Sequence, residues 1–182
     1  SILGGFRCLA VHPSDLAPAL LALDAKVEVI TPRVAKTLSI EELLPGQVLV
    51  NGSLQNHSLQ HDELISHIRV PLPAPNTKSL FHKHTLRQVW DFALASVAGG
   101  PPLNDGRCPD ARLVLWGGGT APYRSREAEK LLIGNAVTPE LAQEVSEVAL
   151  RSARPLRTPR PNNYKVDLSK ALVKRALLSL AG

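Results

Sequence analysis

The residues best suited to chemistry lie in two short segments of this sequence. Ser14 and Asp15 stand immediately before a helical pattern, and Lys83 and Asp91 lie near a break between the two halves of the chain. The free N–H groups at a helix start require acceptors, which a capping side chain or an anionic ligand supplies. The first segment is therefore either a plain strand-turn-helix corner or a place where polar atoms of a cofactor meet a helix terminus.

The second segment leaves a similar choice. Lys83 and Asp91 are either ordinary surface charges or the border of a cleft. In the second case Lys83 supplies positive charge to a phosphate-bearing or electron-rich cofactor.

A hydrolase site is disfavoured. His12, Ser14 and Asp15 include the residue types of a catalytic triad, but they are near neighbours in the chain. Such triads are assembled from separate segments, and the sequence has no nucleophile-elbow pattern.

Metal binding by histidines is also disfavoured. His57 and His61 are four positions apart, but they lie in a polar segment without a helical pattern. His82 and His84 share one face of a predicted strand without an accompanying cluster of cysteines or carboxylates. Solvated histidines are the better interpretation of both pairs.

The first half of the chain must position Ser14 and Asp15. Apolar residues at i, i+3, i+4 and i+7 predict a helix with one buried face, formed by Leu16, Ala19, Leu20 and Leu23. Alternation predicts strands at 26–31 and 63–70 and a brief strand at 47–50. A capping box beginning at Ser39 predicts one helical turn. Residues 71–75 are rich in proline and mark a domain boundary.

The second half must position Lys83 and Asp91. Extended runs are predicted at 79–86 and from Trp90 to 98, and the Asp105-Gly106 turn predicts a long hairpin that returns at 111–116. Three glycines at 117–119 allow a bend or a close backbone approach. Helices are predicted at 126–132, from Thr138 to about 153, and at 166–180, the last with more than one apolar side. Strands followed by helices indicate an α+β fold.

Composition bounds the class of protein. The chain has 182 residues, of which 44% are hydrophobic and 20% charged, and no apolar run approaches a membrane span. The net charge of +5 suits an acidic partner, but the few aromatic residues argue against a nucleic-acid platform. Two cysteines give no disulfide framework, and Cys108 is expected to be a buried reduced thiol. The absence of methionine indicates a fragment or a processed chain.

Several segments together resemble a known family. They are AVHPSDLAPALLALDAKV, DELISHIRVP, FHKHTLRQVWDFALASVA, DGRCPDARLVLWGG, APYRSREAEKLL and NNYKVDLSKALVKRALL. In this order they are similar to the FAD-binding (medium) subunit of the molybdenum hydroxylases, which include xanthine, carbon monoxide and bacterial aldehyde dehydrogenases. The resemblance implies that 1–72 is the second part of a PCMH-type FAD-binding domain. It implies that 77–182 is a small antiparallel sheet with helices on one side.

The resemblance also implies site residues for FAD. Ser14 and Asp15 match the Ser-Asp pair that contacts the flavin nucleotide, and Leu64 matches an apolar residue near the isoalloxazine ring. Lys83 matches the lysine on the strand that faces the flavin, and Asp91 matches the acid that follows it. Trp116 and Tyr123 depart from the residues of relatives in this part of the flavin's surroundings.

One branch of the family implies a further cofactor. The segment around Cys8 is most similar to aldehyde-oxidising members whose flavin subunit carries a [4Fe-4S] cluster, which makes Cys8 the last of four ligands. The other three ligands and the glycine-rich loops for the FAD pyrophosphate are then expected before Ser1.

The function implied is electron transfer within a complex. A large subunit with a molybdenum cofactor oxidises an aldehyde or purine-like substrate, a small subunit carries two [2Fe-2S] clusters, and the flavin passes the electrons to an acceptor. The alternative is a non-catalytic assembly domain with an incomplete flavin site that docks an acidic subunit. The complex is expected in the cytoplasm, or in the periplasm if it is exported with a partner subunit.

Overall fold

The computed structural model describes residues 2–3, 11–73, 75, 77–100, 108–157 and 161–181. The secondary structure in these ranges is mixed and confirms the α+β class. In chain order the elements are α1 (Leu16–Ala22), β1 (Lys26–Ile30), β2 (Lys36–Ser39), α2 (Ile40–Leu43), β3 (Val48–Val50), β4 (Ser53–Gln55), β5 (Leu64–Arg69), β6 (Leu80–His84), β7 (Ala95–Gly99), β8 (Leu113–Trp116), β9 (Tyr123–Arg124), α3 (Arg126–Leu132), α4 (Pro139–Ala149) and α5 (Tyr164–Ala181).

The second half of the chain is built on a four-stranded antiparallel sheet. Its strand order is β6-β7-β8-β9, and every residue of the central strands β7 and β8 is buried. One face carries Val97, Leu113 and Leu115, which pack with α3, α4 and α5 in the larger apolar core. Because both central strands are buried on both faces, the opposite face must also be covered.

Helix α1 covers that opposite face together with the first strand. Leu21 and Val27 pack with Ala98 and Val114 of the sheet in a second apolar core. The sequence predicted the wrong buried face for α1, since Leu16 and Leu23 are exposed whereas Ala17, Pro18 and Leu21 are buried. In so short a helix both sides are apolar, so only the position of the sheet decides which side is buried.

The first half of the chain forms two smaller sheets. One has the order β2-β1-β5 with antiparallel pairing, and the other is the hairpin β3-β4. Val27 and Val29 are fully buried, as their alternation predicted. Strand β5 is an edge strand with exposed residues on both sides, which places Leu64 at the surface. The sequence missed β2, β4 and β9, because these strands are only two to four residues long and lack a distinct alternating pattern.

The predicted helix starts are confirmed by their capping bonds. Glu42 Oε2 accepts from the Ser39 N–H at 2.7 Å, and Ser39 Oγ accepts from the Glu42 N–H at 3.2 Å. Thr138 Oγ1 accepts from the Leu141 N–H at 3.2 Å. Helix α4 ends at Ala149, earlier than predicted, and α5 buries a single stripe that runs from Ser169 to Leu180.

The glycine segment after β8 makes a close backbone approach, as predicted. Gly117 has φ +81°, and a Cβ atom at Gly119 would lie 2.8 Å from the Leu3 carbonyl oxygen. The Leu3 N–H donates to the Gly118 carbonyl at 2.9 Å. The segment therefore holds residues 2–3 against the sheet.

The connection between β6 and β7 differs from the prediction. Trp90 does not begin a strand but lies in a loop, residues 85–94, with the left-handed φ of +52°. Strand β7 then pairs with β8 as the predicted hairpin, and the Asp105-Gly106 turn lies outside the described residues.

No helix in the described part of the chain is both long enough and apolar enough to span a membrane.

Candidate functional site

The structure brings Asp15 and Lys83 together from distant parts of the chain. Asp15 precedes α1 and Lys83 lies on β6, and Lys83 Nζ donates to Asp15 Oδ2 at 2.6 Å. The Asp15 side chain is 50% exposed and the Lys83 side chain 23% exposed. This ion pair therefore has a solvent-facing side that a ligand can reach.

Lys83 belongs to a row of three side chains on one face of the sheet. It lies directly opposite Ser96 of β7, which in turn lies opposite Trp116 of β8. Directly opposed residues of antiparallel strands point to the same face, with Cβ atoms roughly 4.5–5.5 Å apart. The row lies on the α1 face, because Ala98 and Val114, two positions along the same strands, pack with Leu21.

The segment before α1 crosses over this row. The His12 ring meets the Trp116 ring edge-on, with centroids 5.3 Å apart and an interplanar angle of 64°. Asp15 sits over Lys83 at the other end of the row. Burial, and to a smaller extent the nearby His57, hold the pKa of His12 below its usual value. His12 is therefore favoured in its neutral form.

Two buried polar atoms in this region have no hydrogen-bond partner among the residues that the structure describes. They are His12 Nδ1 and Ser96 Oγ, and Ser96 is only 1% exposed. A buried polar atom without a partner costs free energy, so such atoms are rare outside functional sites. One atom belongs to the row and the other to the segment that crosses it, so they add buried polar groups beside the ion pair.

Ser14 supplies the helix cap that its position suggested. Its Oγ accepts from the Ala17 N–H at 3.1 Å, while Asp15 makes no capping bond. His12, Ser14 and Asp15 thus turn to three different partners, and these contacts do not build a catalytic triad.

Asp91 organises the β6–β7 loop rather than the ion pair. Its Oδ2 accepts from the N–H groups of Leu86 at 3.1 Å and Arg87 at 2.9 Å, and its Oδ1 accepts from the Phe92 N–H at 3.0 Å. These bonds, led by the one from Arg87, hold the pKa of Asp91 below its ordinary value. The carboxylate is fully engaged inside the loop.

Leu64, which the sequence also singled out, stands apart from the pair. Leu64 begins β5 opposite Ile30 and is 72% exposed. Cys8 lies outside the described residues. Cys108 is a buried thiol, and burial raises its pKa to about 11, which makes it an inert structural residue.

A cavity of about 470 Å³ lies at the opposite end of α1, between Leu23, Phe81 and Arg112. None of the five predicted flavin residues lines it. The charged side chains that line it already form ion pairs with one another, because Arg112 pairs with both Asp24 and Asp110. We therefore place the candidate site at the Asp15–Lys83 pair, where charge and polar atoms remain available.

Sequence reasoning missed Ser96, the central residue of the row. Ser96 could be identified only from its position opposite Lys83 in the strand pairing. The sequence does not reveal that pairing, because a ten-residue loop separates β6 from β7. It also considered His12 only as a triad member, whereas its contact with Trp116 depends on the folding of the glycine segment.

Two family models match successive parts of the chain. Residues 2–73 match the FAD binding domain in molybdopterin dehydrogenase. Residues 81–180 match the CO dehydrogenase flavoprotein C-terminal domain. Asp15 thus falls within the first match and Lys83 within the second.

Similar proteins support the same assignment. The chain is 26% identical over 177 residues to the 6-hydroxypseudooxynicotine dehydrogenase complex subunit alpha of Paenarthrobacter nicotinovorans, covering 96% of this chain and 57% of that protein. It is 33% identical over 144 residues to the caffeine dehydrogenase subunit beta of Pseudomonas sp. (strain CBB1), covering 79% of this chain and 46% of that protein. The chain therefore spans about half the length of these curated relatives.

A solved structure shares the fold. Quinoline 2-oxidoreductase from Pseudomonas putida 86 superposes with a TM-score of 0.80 at 21% identity, over 94% of this chain and 57% of that chain. Because the second family model alone covers more than half of the sequence, the chain belongs to the FAD-binding (medium) subunit family of the molybdenum hydroxylases.

Proposed function

We propose that this chain is part of the flavin subunit of a molybdenum-containing dehydrogenase and that it holds FAD at the Asp15–Lys83 pair. The observation that carries the proposal is the 2.6 Å contact that joins these two residues across the two family matches. The family resemblance assigns both residues to the flavin. Ser96 of the row and His12 above it each have a buried atom without a hydrogen-bond partner among the described residues, and these atoms lie beside the pair.

The roles of the side chains follow from their chemistry. FAD supplies two-electron and one-electron transfer when bound, and the protein supplies binding, orientation and electrostatics. The Lys83 ammonium offers positive charge to electron-rich atoms of the ring, and Asp15 fixes the direction of that ammonium. Ser14 keeps the helix start in place by capping α1, and Leu64 offers exposed apolar surface.

The domain division belongs to the same proposal. Residues 1–72 would form the second part of the FAD-binding domain, and 77–182 the C-terminal domain. The packing of α1 on the sheet makes the interface between them, and the flavin site lies where they meet.

We propose a complex with two partner subunits, one large with a molybdenum cofactor and one small with [2Fe-2S] clusters. Electrons from an aldehyde or a nitrogen heterocycle would reach the flavin through the clusters and leave to an acceptor. The names of relatives support the complex and a nitrogen-heterocyclic substrate, since they include a dehydrogenase complex subunit and a caffeine dehydrogenase subunit. Copurification of the three subunits with molybdenum, iron and FAD tests this assembly.

The [4Fe-4S] assignment of Cys8 rests on resemblance alone. Iron and sulfide analysis of the full-length subunit tests it, because Cys8→Ser should then remove about four iron atoms per subunit. Unchanged iron would exclude Cys8 as a ligand.

A charge reversal separates a flavin-binding pair from a merely structural one. In the full-length subunit, Lys83→Ala should weaken FAD binding by about 10- to 100-fold, since a charge-assisted hydrogen bond contributes roughly 1.5–3 kcal/mol. The double variant Asp15→Lys with Lys83→Asp keeps an ion pair and so should keep the fold, but it should not recover FAD affinity.

Full FAD affinity in the reversed double variant would contradict the proposed site. Lys36→Ala is a suitable control, because Lys36 makes a comparable 2.6 Å pair with Glu63 away from the row. A complete complex without any flavin would favour the non-catalytic assembly domain instead.

A further inference from the structure

The β6–β7 loop, residues 85–94, displays large apolar side chains to solvent. Trp90 is 96% exposed, and Leu86, Val89 and Phe92 are also largely exposed. A single exposed apolar residue needs no explanation, but a contiguous group marks a contact surface. This loop joins the two strands that carry Lys83 and Ser96, so it borders the proposed flavin site.

The loop is preorganised rather than loose. Asp91 accepts three backbone N–H groups within it, and Arg87 Nη2 donates to the Trp90 carbonyl at 3.0 Å. The Leu94 N–H donates to the His84 carbonyl at 2.8 Å and closes the loop at its base. A surface that is already ordered loses little entropy when it binds.

Trp90 adopts an uncommon backbone conformation for its size. Its φ of +52° lies in the left-handed region, which bulky residues seldom occupy. Such outliers persist only where surrounding bonds enforce them, and they cluster at ligand contacts. Here the bonds from Arg87 and Asp91 enforce a backbone that presents an indole ring to solvent.

We infer that Trp90 is a flavin-contact residue that packs against the isoalloxazine ring, and that Asp91 is the residue that positions it. This inference rests on the proposed function and names a residue that the family resemblance did not. The isoalloxazine is a flat ring system with an apolar dimethylbenzene end and a polar end. Lys83 and Asp15 suit the polar end, and a tryptophan is the largest flat apolar surface that a side chain offers.

The structure also explains why Asp91 matters without contacting the ion pair. Its hydrogen bonds to described residues lie within the loop, so its effect on the flavin would pass through the position of Trp90.

Flavin fluorescence in the full-length subunit tests the contact. An indole in van der Waals contact with an excited flavin quenches its emission by electron transfer. Trp90→Leu should therefore raise the emission of bound FAD severalfold and raise its Kd by about five- to tenfold, as expected for the loss of one aromatic pair. Trp90→Phe keeps a flat ring and should keep the Kd within about twofold.

Tyr164→Leu is the matched control. Tyr164 is an exposed aromatic residue on α5, on the other side of the sheet, and its replacement should change neither the Kd nor the emission. Asp91→Ala should raise the emission in the same direction as Trp90→Leu, because the loop loses its three internal bonds.

Acrylamide quenching of tryptophan emission gives an independent readout. Trp116 is buried, and the part of the accessible emission that disappears in Trp90→Leu reports Trp90. Saturation with FAD should protect it. Protection only after addition of the partner subunits would overturn the inference in favour of a subunit contact. Unchanged Kd and emission in Trp90→Leu would also overturn it, whereas failure of the parent subunit to bind FAD would instead refute the proposed function.

Discussion

The two ends of helix α1 carry two charge clusters that use the same residue types differently. At the C-terminal end, Asp24 pairs with Arg112 at 2.5 Å and with Arg124 at 2.8 Å, and Arg124 pairs further with Glu129. At the N-terminal end, Asp15 and Lys83 form one pair. Both clusters connect the first half of the chain to the C-terminal sheet.

The clusters differ in how completely they are satisfied. Glu129 is only 5% exposed, yet it accepts from Arg124 and from the Leu113 N–H at 2.9 Å. Burial alone would raise the pKa of Asp24, but its bonds to Arg112 and Arg124 outweigh this and lower it. At the other end, Ser96 and His12 keep buried atoms that no described residue pairs. The saturated cluster is a structural joint, and the unsaturated one is the site that we propose for a ligand.

The largest expected effect of a single change is on the saturated cluster. Glu129→Ala leaves Arg124 partly unpaired and the Leu113 N–H without its acceptor, so we expect a loss of about 3–5 kcal/mol in the free energy of unfolding. Chemical denaturation measures it. The exposed Glu127 lies on the same helix, and Glu127→Ala should change stability by less than about 0.5 kcal/mol. A loss below about 1 kcal/mol in Glu129→Ala would remove the distinction between the clusters.

A smaller loss is expected at the other end. Lys83→Met removes a half-exposed pair that solvent screens, so the unfolding free energy of the FAD-free subunit should fall by no more than about 1 kcal/mol. The same denaturation experiment checks it. If Lys83→Met cost as much as Glu129→Ala, the Asp15–Lys83 pair would be a second structural joint.

Replacement of Ser96 should keep or raise the free energy of unfolding, whereas the two changes above lower it. Ser96→Ala removes a buried hydroxyl without a partner among the described residues, so the FAD-free subunit should keep its stability or gain up to about 1 kcal/mol. Thermal unfolding with and without FAD measures both states. A clear destabilisation without FAD would show that the hydroxyl already has a partner.

The smallest effect is a dependence on pH through His12. Its pKa is lowered from 6.5 in the folded protein, so the unfolded chain binds a proton more readily. The contribution of His12 is therefore fully present above pH 6.5 and is lost as the pH falls below that value. Comparing unfolding midpoints at pH 7.5 and pH 5.5 should show a smaller decline in His12→Gln than in the parent. An equal decline would assign the pH dependence to other groups.

Local patterns predicted the elements whose determinants are local. Helix α3 begins and ends where predicted, and the reciprocal bonds of Ser39 and Glu42 follow from four consecutive residues. The pairing of Asp15 with Lys83 could not be derived this way, since 67 residues separate them and only the packing of α1 on the sheet joins them. Resemblance to the family named both residues, but not their contact.

The missed features depend on register and on surface exposure. The prediction of the buried face of α1 was wrong because Leu16, Ala17, Leu20 and Leu21 are all apolar. Which of them are buried depends on where the sheet packs against the helix. The sequence predicted an extended run from Trp90, whereas the bonds of Asp91 determine a loop conformation there.

The register of β6 also constrains how sequences of this kind can diverge. Lys83 points toward α1, and its neighbours His82 and His84 point toward the opposite face of the sheet. Insertion or deletion of one residue in β6 would exchange these faces and carry the ammonium away from Asp15. Length variation among relatives should therefore concentrate in the β6–β7 loop and spare the strand, however freely the strand's individual residues change.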